Sequence, residues 1–325
     1  MDRGDTERRR ELTKLSIVIP IFNEEENITP LYRELKNVLE GMRAKYEVIF
    51  VDDGSDDASN EVLQKLAQND KRVKVIQFRK NFGQTAAIAA GVEHSQGEII
   101  VTMDGDGQND PRDIPRLVEK LAQGYDVTSG WRRHRKDPLL NKKFPSALAN
   151  KLISWLTKVR LHDYGCTLKA YRRDILKDVR LYGEMHRFIP AYASWVGARI
   201  TEMEVAHHAR RHGRSKYGLS RTTSIILDLI TFLFLQRYST KPIRLFGGAG
   251  LTLFVLGFLT GLFVLYRRLI WGGVWISPMI LISFLFITMG VMFVLLGLIA
   301  EIIIRTYHES QKKPIYAIKS TVNLD

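Results

Sequence analysis

Between residues 15 and about 130 the chain alternates short apolar runs with longer stretches in which apolar residues recur at helical spacing. The runs fall at 15–21, 46–51, 73–78, 98–103 and 125–129, and the helical stretches between them at 27–43, 57–69, 84–94 and 114–123. In the first of these, Leu31, Leu35, Val38 and Leu39 share one face of a helix. Strand and helix in strict alternation predict a parallel, doubly wound α/β sheet. In such a sheet ligands sit beyond the carboxyl ends of the strands.

The pattern then changes. Residues 131–160 carry Arg132, Arg133, Arg135, Lys136, Lys142, Lys143, Lys151, Lys158 and Arg160 against a single acid, Asp137. Within them Leu148, Leu152, Trp155 and Val159 recur at helical spacing. That stripe fits an interfacial helix on a membrane surface and equally an ordinary surface helix packed on the sheet. Residues 224–236 are apolar but include Asp228. They are too few to cross a hydrocarbon core of about 30 Å, so an interfacial juxtamembrane helix is expected. Residues 245–266 and 278–299 are each long enough to span, with Arg267-Arg268 and the aromatic turn 271–275 between them. The expected organisation is a solvated leader (1–14), an α/β domain (15–221), a juxtamembrane helix (222–242), a two-span hairpin (243–305) and a cytoplasmic tail (306–325). Arg237, Lys241, Arg244, Arg305, Lys312 and Lys313 flank the hairpin against two arginines in its turn, which places both termini and the α/β domain in the cytoplasm.

Composition narrows the partners. A formal charge of +13 over 325 residues calls for an anionic one. Beside two candidate spans, lipid head groups and phosphorylated substrates fit it better than nucleic acid. The single cysteine, Cys166, excludes an internal disulfide and a cysteine-based zinc site, in keeping with a reducing compartment. The amino terminus has no apolar segment of the kind a cleavable signal requires.

The strand tips hold the candidate chemistry. Glu24 and Glu25 follow the first run, Asp52 and Asp53 end the second, and Asp104-Gly-Asp106 ends the fourth. A few oxygens projecting from a strand tip suit a hard divalent cation, Mg²⁺ or Mn²⁺, that is also bound to a diphosphate. Strand-end acids also serve as caps for the next helix, and Ser55 and Asp56 fit that role. Capping does not account for paired acids recurring along one edge of the sheet.

Taken in order, Pro20-Ile-Phe-Asn23-Glu24, Val51-Asp52-Asp53-Gly54-Ser55 and Asp104-Gly-Asp106 resemble glycosyltransferase family 2, inverting enzymes with the GT-A fold. Asp106-Gly-Gln108-Asn-Asp110-Pro111, Asn81-Phe-Gly-Gln84, His162-Asp163-Tyr-Gly-Cys166 and His212-Gly-Arg214-Ser215-Lys216-Tyr217 narrow the resemblance. They are similar to the polyprenyl-phosphate glycosyltransferases, among them dolichyl-phosphate mannose synthases and bacterial undecaprenyl-phosphate transferases. The resemblance implies that Pro20, Phe22, Glu24, Asp52, Asp53 and Gln84 form the donor-nucleotide site. It implies a cation and diphosphate site at Asp104, Asp106 and Gln108, and an acceptor-phosphate side at Arg132, Arg214, Ser215 and Lys216. Asp163 and Arg132 would join the two metal acids in the catalytic group. Where many relatives carry Tyr, this chain has Phe22, which loses a hydroxyl contact and keeps an aromatic face.

The expected reaction moves one sugar, from a donor of the UDP-glucose or GDP-mannose type, to a polyprenyl phosphate such as undecaprenyl or dolichyl phosphate. A hydroxyl acceptor needs a base to take its proton. A phosphate monoester, with a second pKa of about 6, does not. No obligatory general base is therefore expected, and Asp163 is expected to orient basic groups or hold the sugar. Two anions must still meet, and Arg210, Arg211, Arg214, Lys216 and Arg221, in a stretch without an acid, supply positive charge. His207, His208 and His212 amid that charge are not expected to hold a metal. Gly257 and Gly261 form a Gly-x-x-x-Gly that allows close packing within a hairpin or between hairpins of a homo-oligomer. The competing readings are a processive polysaccharide synthase, whose Gln-x-x-Arg-Trp motif is not matched by Gln236-Arg-Tyr, and a non-catalytic membrane scaffold or lipid-flipping accessory.

Overall fold

The computed structural model describes residues 14–42, 44–133, 154, 157, 159–177, 185–209, 243–272, 278–310 and 316–324. The expectations for the leader, for most of the basic stretch, for residues 210–242 (Arg214, Ser215 and Lys216 among them) and for the turn at 273–277 fall outside them. The chain divides into two compact units, residues 1–229 with 314–325, and residues 230–313.

In the first unit, β1 (Lys14–Ile21), α1 (Glu25–Gly41), β2 (Lys45–Asp52), α2 (Ser59–Asn69), β3 (Val73–Phe78), α3 (Gln84–Glu93) and β4 (Ile99–Thr102) follow the predicted alternation. After them come a 3₁₀ turn (Pro111–Asp113), α4 (Ile114–Ala122), β5 (Val127–Trp131), β6 (Lys169–Arg172) and the short α5 (Arg173–Lys177). A second 3₁₀ turn (Met185–Phe188) then leads into α6 (Ile189–Trp195) and β7 (Ile200–Glu204). The sheet order is β7-β5-β6-β4-β1-β2-β3-β8, with β8 at Ile318–Val322. β1, β2, β3 and β4 are mutually parallel, as are β5 and β7. β6 runs antiparallel between β4 and β5, and β8 antiparallel along β3.

The central strands read as unbroken apolar runs because helices cover both faces. Ile17, Ile19 and Ile21 pack with Ile28, Leu31 and Leu35 of α1 on one side. On the other, Ile49, Val51, Ile76 and Phe78 meet Ala86, Ala87 and Ala90 of α3. Small residues bring α3 close to the sheet: a Cβ on Gly91 would lie 2.3 Å from Val18 Cγ1.

The sheet is mostly parallel, with β6 inserted in the opposite sense between the fifth run and β4. One expectation is corrected: the stretch after the hairpin is not only a tail, since residues 318–322 form the eighth strand of the sheet.

The second unit contains α7 (Ile243–Trp271) and α8 (Pro278–Ser310). Within them Phe246–Ile270 and Pro278–Ala300, at mean hydropathy 2.1 and 2.7, are long and apolar enough to cross a membrane. Large apolar side chains such as Phe258, Leu269 and Phe284 are exposed along them. α7 runs longer than the span read from sequence and carries Arg267 and Arg268 inside the helix. The helices touch through glycine: a Cβ on Gly250 would lie 2.6 Å from the Gly290 carbonyl, and one on Gly257 2.8 Å from the Ile287 nitrogen. Ser283 Oγ donates to the Gly257 carbonyl at 2.6 Å.

Candidate active site

The loops after β1 and β2 are laced together. The Asn23 N–H donates to Ser55 Oγ at 3.0 Å, the Asp56 N–H to Asn23 Oδ1 at 2.8 Å, and the Glu24 N–H to Ser59 Oγ at 2.9 Å. Asp52, fully buried, accepts from the Ser55 N–H at 3.0 Å and from Asn60 Nδ2 at 3.1 Å. Glu24 is half-buried and its carboxylate accepts from Asn27 Nδ2 at 2.6 Å. Phe22 and Pro20 occupy the same strand tip, each half-buried.

Asp53 faces another way. Its two oxygens accept from the N–H groups of Phe82 and Gly83 at 2.7 and 2.9 Å. Burial pushes its carboxyl up to about 6, against the pull of those two donors. Gly54 lets this loop pass: it sits at φ +70°, and a Cβ there would lie 2.4 Å from the Lys80 carbonyl carbon. Asp53 therefore secures the β3–α3 loop.

That loop delivers Gln84, the first residue of α3, whose Nε2 donates to Asp104 Oδ1 at 2.6 Å. Asp104 is also held through its N–H, which donates to Asn109 Oδ1 at 3.0 Å. Gly105 packs against β1, where a Cβ would lie 2.4 Å from Ile21 Cδ1 and 3.0 Å from the Pro20 carbonyl oxygen. Only glycine lets both acids stand at the tip of β1. Asp106, 8 % exposed, accepts from the Gln108 N–H at 3.1 Å. Gln108 Nε2 donates to the His208 carbonyl at 3.3 Å, and the His208 N–H returns to the Gln108 carbonyl at 2.9 Å. Residues 207–208 thus lie along the acid loop, tied also by His208 Nε2 and Asp110 Oδ2 at 3.0 Å. Arg112 holds the Asp110 carboxyl well below the ordinary carboxylate range, His208 adding to the effect.

Arg132 and Asp163 meet as a fork, Nε to Oδ2 at 2.7 Å and Nη2 to Oδ1 at 3.0 Å. Their side chains are 11 % and 5 % exposed. Burial opposes the guanidinium's charge, and the Asp163 carboxylate outweighs it, with Asp104 contributing in the same sense. The Gly165 N–H donates to Asp163 Oδ1 at 3.1 Å. A Cβ on Gly165 would lie 3.3 Å from Arg132 Nη2 and 4.0 Å from Arg187 Nη1, so a second arginine approaches this turn.

Sequence reasoning missed several neighbours. Lys169, fully enclosed, donates to the Tyr164 carbonyl at 3.1 Å, and burial pushes its ammonium down to about 8. A lysine within the apolar run Thr167–Tyr171 was the available signal. His186 Nδ1 lies 2.7 Å from Thr85 Oγ1, next to Gln84. Asn109 lay inside the motif 106–111 without a role of its own, and Arg187 carried no signal beyond its residue type.

Among the described residues no three His, Cys, Asp or Glu side chains converge as a complete metal cage. The donor set offered by Asp104, Asp106 and Gln108 is all oxygen. It fits a hard cation such as Mg²⁺, which commonly takes one or two carboxylates and fills its shell with substrate phosphates and water.

A mostly parallel sheet with acids at its strand tips and a basic residue clasped at their side is the frame of a glycosyltransferase. The family model for Glycosyl transferase family 2 matches residues 16–180, and the chain belongs to that family. It is 43 % identical over 311 residues to dodecaprenyl-phosphate galacturonate synthase of Rhizobium johnstonii, covering 94 % of this chain and 92 % of that one. It is 38 % identical, also over 311 residues, to undecaprenyl-phosphate 4-deoxy-4-formamido-L-arabinose transferase of Pseudomonas paraeruginosa, covering 95 % and 90 %. Glucosyl-3-phosphoglycerate synthase of Mycobacterium tuberculosis, solved with Mn²⁺, uridine diphosphate and phosphoglyceric acid, shares the fold. The TM-score is 0.55 at 19 % identity, over 72 % of this chain and 81 % of that one.

Proposed function

We propose that the protein moves a single sugar, with inversion, from a nucleotide-diphosphate donor to the phosphate of a polyprenyl phosphate at the cytoplasmic face of a membrane. The observation that carries this reading is the fork between Arg132 and Asp163. Both oxygens of Asp163, buried beside the site, accept from a guanidinium, which suits holding an anion and not removing a proton. An acceptor that arrives already ionised needs no proton removed. The names of the two relatives support a polyprenyl-phosphate acceptor, and α7 and α8 supply the apolar surface for a long isoprenoid and for the bilayer.

In this reading Pro20, Phe22, Glu24 and Asp52 line the nucleoside side. Gln84 sets the Asp104 carboxylate, and the turn closed by the Gln108 N–H sets that of Asp106. A divalent cation bound by Asp104, Asp106 and Gln108 supplies Lewis-acid neutralisation of the departing diphosphate, an effect of several kcal/mol. Arg132 faces the attacking phosphate; Arg214, Ser215 and Lys216, outside the described residues, are assigned to that phosphate by the sequence resemblance alone. Asp163 keeps Arg132 in place.

The relatives' names carry galacturonate and 4-deoxy-4-formamido-L-arabinose, so the donor panel must reach beyond UDP-glucose and GDP-mannose. Membranes containing the protein, given each labelled nucleotide sugar with polyprenyl phosphate, should pass label to the organic phase with one donor. EDTA should abolish the signal, and Asp106→Ala should lower it by at least about a hundredfold while the protein stays in the membrane. Full transfer in excess EDTA, or transfer only to neutral alcohols, would overturn the reading.

A further inference from the structure

Residues 316–324, beyond the apolar helices in sequence, return to the edge of the sheet that leads into the donor side of the site. β8 sets Val322 opposite Val75 and Ile318 opposite Phe78. The pairing continues past the end of β3, where the Arg79 N–H donates to the Ala317 carbonyl at 3.0 Å. Tyr316 stacks on Phe78, ring centroids 5.0 Å apart and planes 14° from parallel. Phe78 in turn meets Phe82 edge-on at 5.7 Å. The Tyr316 hydroxyl reaches Glu93 at the last turn of α3.

These contacts converge on the β3–α3 loop. Residues 79–83 have no helix or strand hydrogen bonding of their own. Their fixed points are the Ala317 carbonyl, the Asp53 carboxylate and the ring of Phe82 in the aromatic stack. Gln84, which holds Asp104, follows directly. A loop shifted by about an ångström would carry the Gln84 amide beyond hydrogen-bond reach of that carboxylate.

We propose that Tyr316 is a positioning residue for the donor site, setting the 79–84 loop and, through Gln84, the Asp104 carboxylate. The proposal rests on the functional reading above, in which Asp104 faces the donor diphosphate.

The full-length protein in membranes tests it through Tyr316→Leu, which removes the stack, and Asn323→Ala, which removes bonds to the Ala67 and Val73 carbonyls at the far end of β8. Tyr316→Leu should raise the donor KM about tenfold and lower kcat with it, while the polyprenyl-phosphate KM stays within about twofold. Tyr316→Phe keeps the ring and should stay within about twofold throughout. Asn323→Ala should lower the melting temperature without raising the donor KM. Amide hydrogen exchange at Phe82 and Gly83 should quicken in Tyr316→Leu and not in Asn323→Ala. An unchanged donor KM in Tyr316→Leu, an equal rise in Asn323→Ala, or unaltered exchange at Phe82 and Gly83 would overturn the proposal. If Tyr316→Leu does not accumulate, Phe82→Leu removes the edge-on contact with Phe78 that links the Tyr316 stack to the loop and carries the same expectation. Should the unaltered protein transfer sugar from no nucleotide donor, the functional reading fails, and the exchange measurement still decides whether Tyr316 sets the loop.

Discussion

Asp163 is enclosed, and its two oxygens each accept from Arg132. A general base needs a lone pair aimed at the acceptor's proton; this carboxylate is aimed at a cation. Asp163→Asn keeps one acceptor and loses the charge, so the guanidinium loses half its clasp. The expected result is a kcat lower by about 10- to 100-fold, with the rising limb near pH 6, from the acceptor phosphate's own ionisation, still present. A pH–rate profile of the variant that is flat from pH 5 to 8 would assign proton removal to Asp163. The sequence reading expected Asp163 to orient basic groups or hold the sugar, because a monoester acceptor makes a base superfluous, without naming Arg132 as its partner. It did not foresee the partners of Asp53. Adjacent strand-end acids point to opposite sides of a sheet, and no spacing in the chain says that Asp53 turns to Phe82 and Gly83.

At the scale of elements, α7 and α8 meet where side chains are absent. A Cβ on Gly257 would lie 2.8 Å from a backbone nitrogen and 2.9 Å from a backbone oxygen of α8, atoms that cannot swing aside, whereas one on Gly248 meets nothing within 4 Å. Gly257→Leu should therefore destabilise the helix pair by about 1–3 kcal/mol and lower its melting temperature in detergent, with Gly248→Leu close to neutral. Equal melting temperatures for the two variants would show that the pair does not depend on this contact. The Gly-x-x-x-Gly read from sequence thus has a partner inside the hairpin, Ser283, whose hydroxyl lies 2.9 Å from the Cβ position of Gly261. The first four strands were legible because each is a buried apolar run followed by a helical stretch. β6 and β8 were not. Lys-Ala-Tyr-Arg and Ile-Lys-Ser-Thr-Val are short and half polar, and β8 pairs with β3, more than two hundred positions away in the chain. Local pattern carries no trace of such a pairing.

Across the whole molecule, Asp53 couples stability to pH. Its folded pKa, raised by burial to about 6 from 3.8, means that the folded state binds this proton more tightly than the unfolded chain does. Its contribution is fully present below about pH 4 and is lost as pH rises through about 6, at most about 3 kcal/mol. Depressed carboxyls such as Asp110 act with the opposite sign at lower pH. Between pH 4 and 7 the melting temperature of Asp53→Asn should change less than that of the unaltered protein; parallel curves would refute the coupling.

Among the described residues the same sheet ends in β7 and β8, each five residues long. β7 ends Glu-Met-Glu, with Glu202 bonded to the His162 N–H at 2.8 Å and Glu204 to Arg133 at 2.6 Å, while β8 exposes Lys319 and Thr321. A neighbouring copy that tried to extend the ladder at β7 would set carboxylates against carboxylates and would have to break both pairs. Copies brought close together therefore meet a border at β7 that discourages them from templating an aggregate.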